Sequence, residues 1–114
     1  MKKKAIIVSI KSEVLTYKEM ALLSNENPWG IILFKRNIKS LKQIQSLIKK
    51  IKRLTKDKYF PILIDEEGAT VSRLRNIINH DVSANFFGSM YSKNKKVCIS
   101  LYKEYLNSLC KELK

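Results

Sequence analysis

At 114 residues and 45% hydrophobic content, the chain is long enough for one domain with a real core and too short for two. Three Gly and two Pro exclude a collagenous or low-complexity chain, and frequent, periodic apolar segments exclude disorder. The net charge of +13 raises affinity for polyanions and anionic membranes in general, but the lysines are dispersed over Lys2–Lys4, Lys35–Lys58 and Lys93–Lys114, as on a solvated surface.

At the N-terminus, Met1 to Lys4 precede an apolar run of only Ala5 to Ile10. A signal peptide needs roughly 7 to 15 apolar residues and a cleavage site, and a membrane span needs about 18, so the expectation is a cytoplasmic protein with no membrane partner. Ala5 to Ile10 is short, β-branched and continuous, which predicts a first strand buried on both faces. Thr16 then caps a helix over about Tyr17 to Ser24, with Glu19 as its capping-box partner and Met20, Leu22 and Leu23 on its apolar side. Asn27-Pro28-Trp29-Gly30 ends it.

Gly30 to Phe34 repeats the buried-strand signature, with Lys35-Arg36-Asn37 as polar punctuation at its C-terminal end. Capping and turn roles for Arg36 and Asn37 are at least as well supported as a place on a pocket rim. Ser40 and Gln43 suggest a second capping box. Leu41, Ile44, Leu47, Ile48, Ile51 and Leu54 recur at three and four residues, which predicts a helix from about Leu41 to Thr55.

A third strand is expected over Tyr59 to Ile64, then a long irregular loop from Gly68 to Met90. From about Lys93, Val97, Leu101, Tyr105, Leu109 and Leu113 recur every four residues, so one helix is expected to run to the end of the chain. Cys98 and Cys110 stand about 18 Å apart along that helix, which excludes a bridge between them. Both read as small core residues in a reducing compartment, and neither has metal-ligand spacing.

Strand, helix, strand, helix, strand, helix at this spacing means βαβ units and a parallel sheet. A closed (β/α)8 barrel needs eight such units over about 250 residues, so barrel units here would make up under half of one. The most informative stretch is Ile62-Leu63-Ile64-Asp65-Glu66-Glu67-Gly68, with Arg73 eight residues past Asp65. A buried-strand pattern running straight into three carboxylates and a glycine puts the acids at the strand's C-terminal edge, where α/β proteins hold their ligands.

Two segments together carry a resemblance: Gly30-Ile31-Ile32-Leu33-Phe34-Lys35-Arg36-Asn37, then, after a helix, Ile64-Asp65-Glu66-Glu67-Gly68-Ala69-Thr70-Val71-Ser72-Arg73. They resemble the N-terminal region of glycoside hydrolase family 3, specifically the bacterial β-N-acetylhexosaminidases of peptidoglycan recycling. That region reads G-G-[VI]-I-L-F-x-R-N and D-[QE]-E-G-G-x-V-x-R in the same order and spacing. Ser83 to Gly88 is similar to the family's stretch before the third helix. Departures are Trp29 and Ala69 where the family has Gly, and Thr70 where Arg is frequent. A second Gly usually marks positive φ, which a Cβ at Ala69 would strain.

The resemblance implies a fold class of α/β, with residues 1–114 forming the first three βα units of a TIM barrel that is incomplete in this chain. It implies that Asp65 accepts hydrogen bonds from sugar hydroxyls and that Arg73 contacts the same sugar. A carboxylate that accepts from two hydroxyls and a guanidinium fork together fix one pyranose ring. The alternative is that Asp65 and Arg73 merely pair across the loop. Glu66 and Glu67 read as loop-shaping, and His80, the one histidine, lies outside the matched motifs and reads as a loop residue.

The family's retaining mechanism uses an Asp nucleophile late in the barrel and a His-Asp dyad introduced by a K-H-F-P-G-H-G segment after a fourth strand. None of these is expected within this chain, so no catalytic residue is assigned, and no metal or other cofactor is implied. The partners implied are N-acetylglucosamine-containing peptidoglycan fragments, with no specific nucleic acid; the chain is expected to be a truncated N-terminal part, inactive alone, the alternative being that a separately encoded C-terminal half completes the barrel. A second class of reading keeps the same residues as a small basic α/β nucleic-acid-binding module. Steeply salt-dependent retention on a polyanion column would favour it, although aromatic interleaving of the basic residues is poor.

Overall fold

The computed structural model describes residues 2–69, 71–79 and 81–112; Thr70, His80, Leu113 and Lys114, on which parts of the sequence reading fall, lie outside them. Three strands, β1 (Lys4–Ser9), β2 (Pro28–Leu33) and β3 (Ile62–Ile64), form a parallel sheet in the order β1-β2-β3. Helix α1 (Tyr17–Asn25) connects β1 to β2, and α2 (Leu41–Leu54) connects β2 to β3 after a 3-10 turn at Lys35–Asn37. Two further helices follow, α3 (Ala84–Lys93) and α4 (Lys95–Glu112). The chain is α/β, with the alternation that the spacing predicts.

It divides into two units, Met1–Glu66 with Arg73–Asn79, and Glu67–Ser72 with His80–Lys114. In the first unit, register assigns the two faces of the sheet. Val8 lies beside Ile31, Ile31 beside Ile62 and Leu33 beside Ile64 on one face; Ile7 beside Gly30, Ser9 beside Ile32 and Ile32 beside Leu63 share the other. The core sits on the first face. Ile31 and Leu33 are buried there, and Leu23 of α1 and Ile44, Leu47 and Ile51 of α2 are buried in the same unit. Burying an isoleucine such as Ile51 contributes about 2 kcal/mol.

The second face is far less covered, with Ile7 45% exposed and Ile32 and Leu63 half-buried. This corrects the expectation that β1 is buried on both faces. Its residues are exposed except for the half-buried Val8, because β1 is an edge strand with a neighbour on one side only. The apolar run Ala5 to Ile10 signals a strand but not its cover. Gly30 has a clear packing reason: a Cβ there would meet Pro61 Cβ and O at 3.1 Å.

The third strand is shorter than Tyr59 to Ile64. Lys56 turns at φ +53°, Tyr59 N–H donates to Asp57 Oδ1 at 2.8 Å and Phe60 N–H to Asp57 O at 3.1 Å, so the turn consumes residues to Phe60. Pro61 has no N–H to give a ladder, though its carbonyl accepts from Ile31 N at 3.0 Å.

The Thr16–Glu19 capping box is present, with Glu19 N donating to Thr16 Oγ1 at 3.3 Å and Thr16 N to Glu19 Oε2 at 2.7 Å. The second box is half made. Ser40 Oγ accepts from Gln43 N at 3.3 Å, but Gln43 Oε1 accepts from Lys39 N at 2.9 Å instead of returning to Ser40.

In the second unit, the loop expected to reach Met90 ends at Ser83, whose hydroxyl caps α3 by accepting from Phe86 N at 3.2 Å. The single C-terminal helix is likewise two helices. Asn94 at φ −153° breaks them, its N–H donating to Met90 O at 2.8 Å and its Oδ1 accepting from Val97 N at 3.2 Å. The seam of α4 on α3 is Cys98, Tyr102 and Tyr105, so of the stripe from Val97 only Tyr105 meets α3 through a ring contact. Phe87 packs against Tyr102 and Tyr105 at ring separations of 4.8 and 5.5 Å, and Cys98 Sγ donates to Phe87 O at 3.3 Å. Val97 and Leu101 are exposed, and so is Cys110, which corrects its reading as a core residue.

Candidate functional site

The strands' C-terminal edge gathers the residues singled out by sequence. Asp65 follows β3 directly and is exposed. Continuing the alternation one residue past β3 puts Asp65 on the face of Leu63, the less covered one, just beyond the last pair of the register, Leu33 beside Ile64.

Arg73 comes to the same edge through Glu66. One carboxylate oxygen of Glu66, Oε2, accepts from Arg73 N at 2.8 Å and from Leu74 N at 2.9 Å. Leu74 is buried, Ile77 and Ile78 N–H close a turn onto its carbonyl at 2.8 Å, and Asn76 Nδ2 donates to Ile38 O at 2.8 Å. The segment is therefore held at both ends, by β3 and by the turn after β2. Glu66 shapes the loop, as its position suggests.

Among the described residues the ion pairs are Lys3–Asp57, at 2.7 Å, and Lys4–Glu26, so none joins Asp65 to Arg73. Arg73 Nε is buried without a hydrogen-bond partner. A buried donor left unmade is costly, on the order of 1–3 kcal/mol, and such atoms are rare outside functional or strained sites.

In the second unit, Gly68 takes a left-handed turn at φ +97°, with Gly68 and Val71 bridged and Glu67 N–H donating to Val71 O at 3.3 Å. Ala69 is not among the residues at positive φ, so the strain expected from its Cβ does not arise there.

Sequence reasoning set aside the most connected residue of the edge. Asn37 is fully buried; its Oδ1 accepts from Phe34 N at 2.8 Å and its Nδ2 donates to Ile10 O at 3.1 Å and Ser12 O at 2.9 Å. Gln43 extends the network by donating from Nε2 to Glu13 O at 2.8 Å and Asn37 O at 3.1 Å. Together they fasten the loop after β1 to the turn after β2. The available signal was an amide directly after a buried strand, where two loops must meet. Arg36 donates from Nε to Ile10 O at 3.2 Å, with its guanidinium 4.6 Å from the centre of the Phe34 ring.

Charge on the strands' opposite side is paired differently. Lys3 beside Asp57 and Lys4 beside Glu26 hold both carboxyls below their ordinary values. For Glu19, partial burial pushes upward, but hydrogen bonds from Thr16 N, Lys11 N and Thr16 Oγ1 outweigh it and the net shift is downward. No helix among the described residues is long and apolar enough to cross a membrane.

No family model matches the chain. Curated relatives do. A beta-hexosaminidase of Thioalkalivibrio sulfidiphilus is 32% identical over 89 residues, covering 78% of this chain and 25% of that protein. One of Mannheimia succiniciproducens is 36% identical over 87 residues, covering 76% and 25%. Among solved structures, NagZ from Neisseria gonorrhoeae in complex with N-trifluoroacetyl-D-glucosamine matches 81% of this chain and 27% of its own, at a TM-score of 0.67 and 30% identity. The chain spans about a quarter of the length of the curated relatives it matches. Over most of its own length it is similar in sequence to these beta-hexosaminidases, and in fold to the matched part of NagZ.

Proposed function

We propose that the chain is the N-terminal part of a glycoside hydrolase family 3 β-N-acetylhexosaminidase, forming the first three βα units of its TIM barrel and one side of its sugar subsite. In this reading Asp65 accepts hydrogen bonds from hydroxyls of an N-acetylglucosamine ring and Arg73 donates to the same ring. The observation that supports it most is the Glu66 carboxylate bound to Arg73 and Leu74 N–H at 2.8 and 2.9 Å, which keeps Arg73 at the end of the strand that Asp65 follows. Glycosidic ligands suit such a site because a carboxylate and a guanidinium satisfy hydroxyls of fixed relative direction.

The substrates proposed are N-acetylglucosamine-containing peptidoglycan fragments, met in the cytoplasm, with no membrane or specific nucleic-acid partner. Retaining hydrolysis needs a nucleophile and an acid/base flanking the bond. Both are assigned to the remaining three quarters of the enzyme, present as a continuation of the chain or as a separately encoded half. Two features support a need for that remainder: the less covered face carrying Ile7, Ile32 and Leu63, and the two edge strands β1 and β3.

The test is hydrolysis of a chromogenic N-acetylglucosaminide by the purified 114-residue chain. No turnover above buffer is expected. Turnover that disappears in Asp65→Ala would overturn the assignment of the reactive groups elsewhere.

A further inference from the structure

The strands' N-terminal edge, at the far end from Asp65, gathers charge that the sequence disperses. Lys2, Lys3 and Lys4 lead into β1, Lys52 and Arg53 stand in the last turn of α2, and Lys56 and Lys58 follow in the turn toward β3. Lys3 Nζ meets Asp57 Oδ2 at 2.7 Å across 54 residues of sequence, which joins the two basic runs. The carboxylates on this edge are already engaged, Asp57 with Lys3 and Glu26 with Lys4. Lys2, Arg53, Lys56 and Lys58 are exposed, and none of them is in an ion pair among the described residues.

Tyr59 stands among these cations. It is 79% exposed, while the next residue, Phe60, is buried. A ring so open to solvent removes little apolar surface from water, so folding does not account for it. Its backbone is nevertheless fixed. Asp57 Oδ1 accepts from Tyr59 N at 2.8 Å, Asp57 O accepts from Phe60 N at 3.1 Å, and Asp57 N donates to Lys52 O at 3.3 Å. Lys58 Nζ lies 4.8 Å from the centre of the Tyr59 ring. One pinned turn therefore presents a flat aromatic face flanked by cations.

We infer that this edge is an interaction surface for single-stranded nucleic acid, with an unpaired base stacked on Tyr59 and the neighbouring phosphates met by Lys2, Arg53, Lys56 and Lys58. Stacking accepts any base and phosphates are the same at every nucleotide, so the surface reads no sequence. A duplex keeps its base faces inside the stack and offers Tyr59 nothing. An anionic membrane would use the cations but draws on a broader apolar face, and from Lys56 to Phe60 the one exposed large hydrophobic side chain is Tyr59. Because the surface lies at the other end of the strands from Asp65, its occupancy is independent of the proposed sugar site.

The test is fluorescence anisotropy of a labelled oligouridylate of about 12 nucleotides, titrated with the 114-residue chain at several salt concentrations. An RNA duplex of the same length and phosphatidylglycerol vesicles serve as competing probes. The single strand is expected to bind more tightly than the duplex. Tyr59→Leu should weaken it about 10-fold with the salt dependence unchanged, and Tyr59→Phe should stay near wild type. Lys56→Gln with Lys58→Gln should lower the slope of log affinity against log salt by about 1.4, from two phosphate contacts at about 0.7 each. Lys96→Gln with Lys103→Gln removes the same charge from exposed positions of α4 and should change affinity by less than about 2-fold. No binding of the single strand at low salt, an affinity indifferent to Tyr59→Leu, or an equal loss from the α4 pair overturns the inference. So does a duplex bound as tightly as the single strand, or vesicle binding that Tyr59→Leu weakens while the strand is not bound. Urea midpoints of the variants that match wild type exclude unfolding as the cause.

Discussion

Replacing Asn37 with Ala removes three hydrogen bonds from a fully buried amide: Phe34 N to Oδ1, and Nδ2 to Ile10 O and Ser12 O. Ile10 O keeps Arg36 Nε as a donor, but Phe34 N–H loses the partner it has at 2.8 Å. At about 1 kcal/mol for each bond, the expected loss is about 3 kcal/mol. With a urea dependence of about 1.5 kcal/mol per molar, the unfolding midpoint should fall by about 2 M. Urea titration followed by far-UV circular dichroism, with Trp29 fluorescence as the second probe, measures it. Asn37→Asp sharpens the test, because it keeps the shape but turns a carboxylate oxygen toward two carbonyl oxygens. It should be worse than Ala at neutral pH. The introduced carboxyl has a raised folded pKa, so its penalty is full above that value, fades as pH falls from it to the ordinary carboxylate value, and is gone below that. A midpoint shift under about 0.5 M for Asn37→Ala, or an Asp variant no worse than Ala at neutral pH, would refute the hub.

Glu66→Ala should cost about 2–3 kcal/mol, because it strips the shared acceptor from Arg73 and Leu74 N–H, and hydrogen exchange at those two amides should quicken before that of α2. Gly68→Ala should cost about 1–3 kcal/mol, since the residue sits at φ +97° and a Cβ would lie 3.0 Å from Val82 O; thermal unfolding reads the loss. The carboxyls of Glu26, Asp57 and Glu19 are all depressed in the folded chain, so their contribution is present above the unfolded values and is lost as pH falls through the folded ones. The urea midpoint should therefore drop on acidification below the ordinary carboxylate range. Lys3→Met and Lys4→Met together should flatten that drop.

Local chemistry made the alternation of the fold readable. The Thr16–Glu19 box, the α2 stripe of Ile44, Leu47 and Ile51, and the short β-branched strands each follow from contacts within a few residues. What the sequence hid depends on neighbours. The exposure of β1 comes from its place at the edge of the sheet, which an apolar run cannot disclose. The break at Asn94 escaped notice because Val97, Leu101 and Tyr105 mimic one continuous helix while the residue that stops α3 also caps α4. Asp65 and Arg73 were singled out by the acids that follow β3 and by the resemblance, but the means of holding Arg73 at the edge, one Glu66 oxygen gripping two N–H groups, needs a fold in which a side chain meets backbone seven and eight residues away. Asn37 was the least legible, since an asparagine after a strand looks like an ordinary turn until its three partners are seen.

The most direct measurement is complementation. The 114-residue chain is coexpressed with the remaining three quarters of the Mannheimia succiniciproducens relative, and the pair is assayed on a chromogenic N-acetylglucosaminide. Turnover by the pair, absent from either part alone and lost with Asp65→Ala or Arg73→Ala, is the predicted result. A pair that copurifies and hydrolyses the glycoside equally well with both substitutions would contradict the sugar-binding role of this edge.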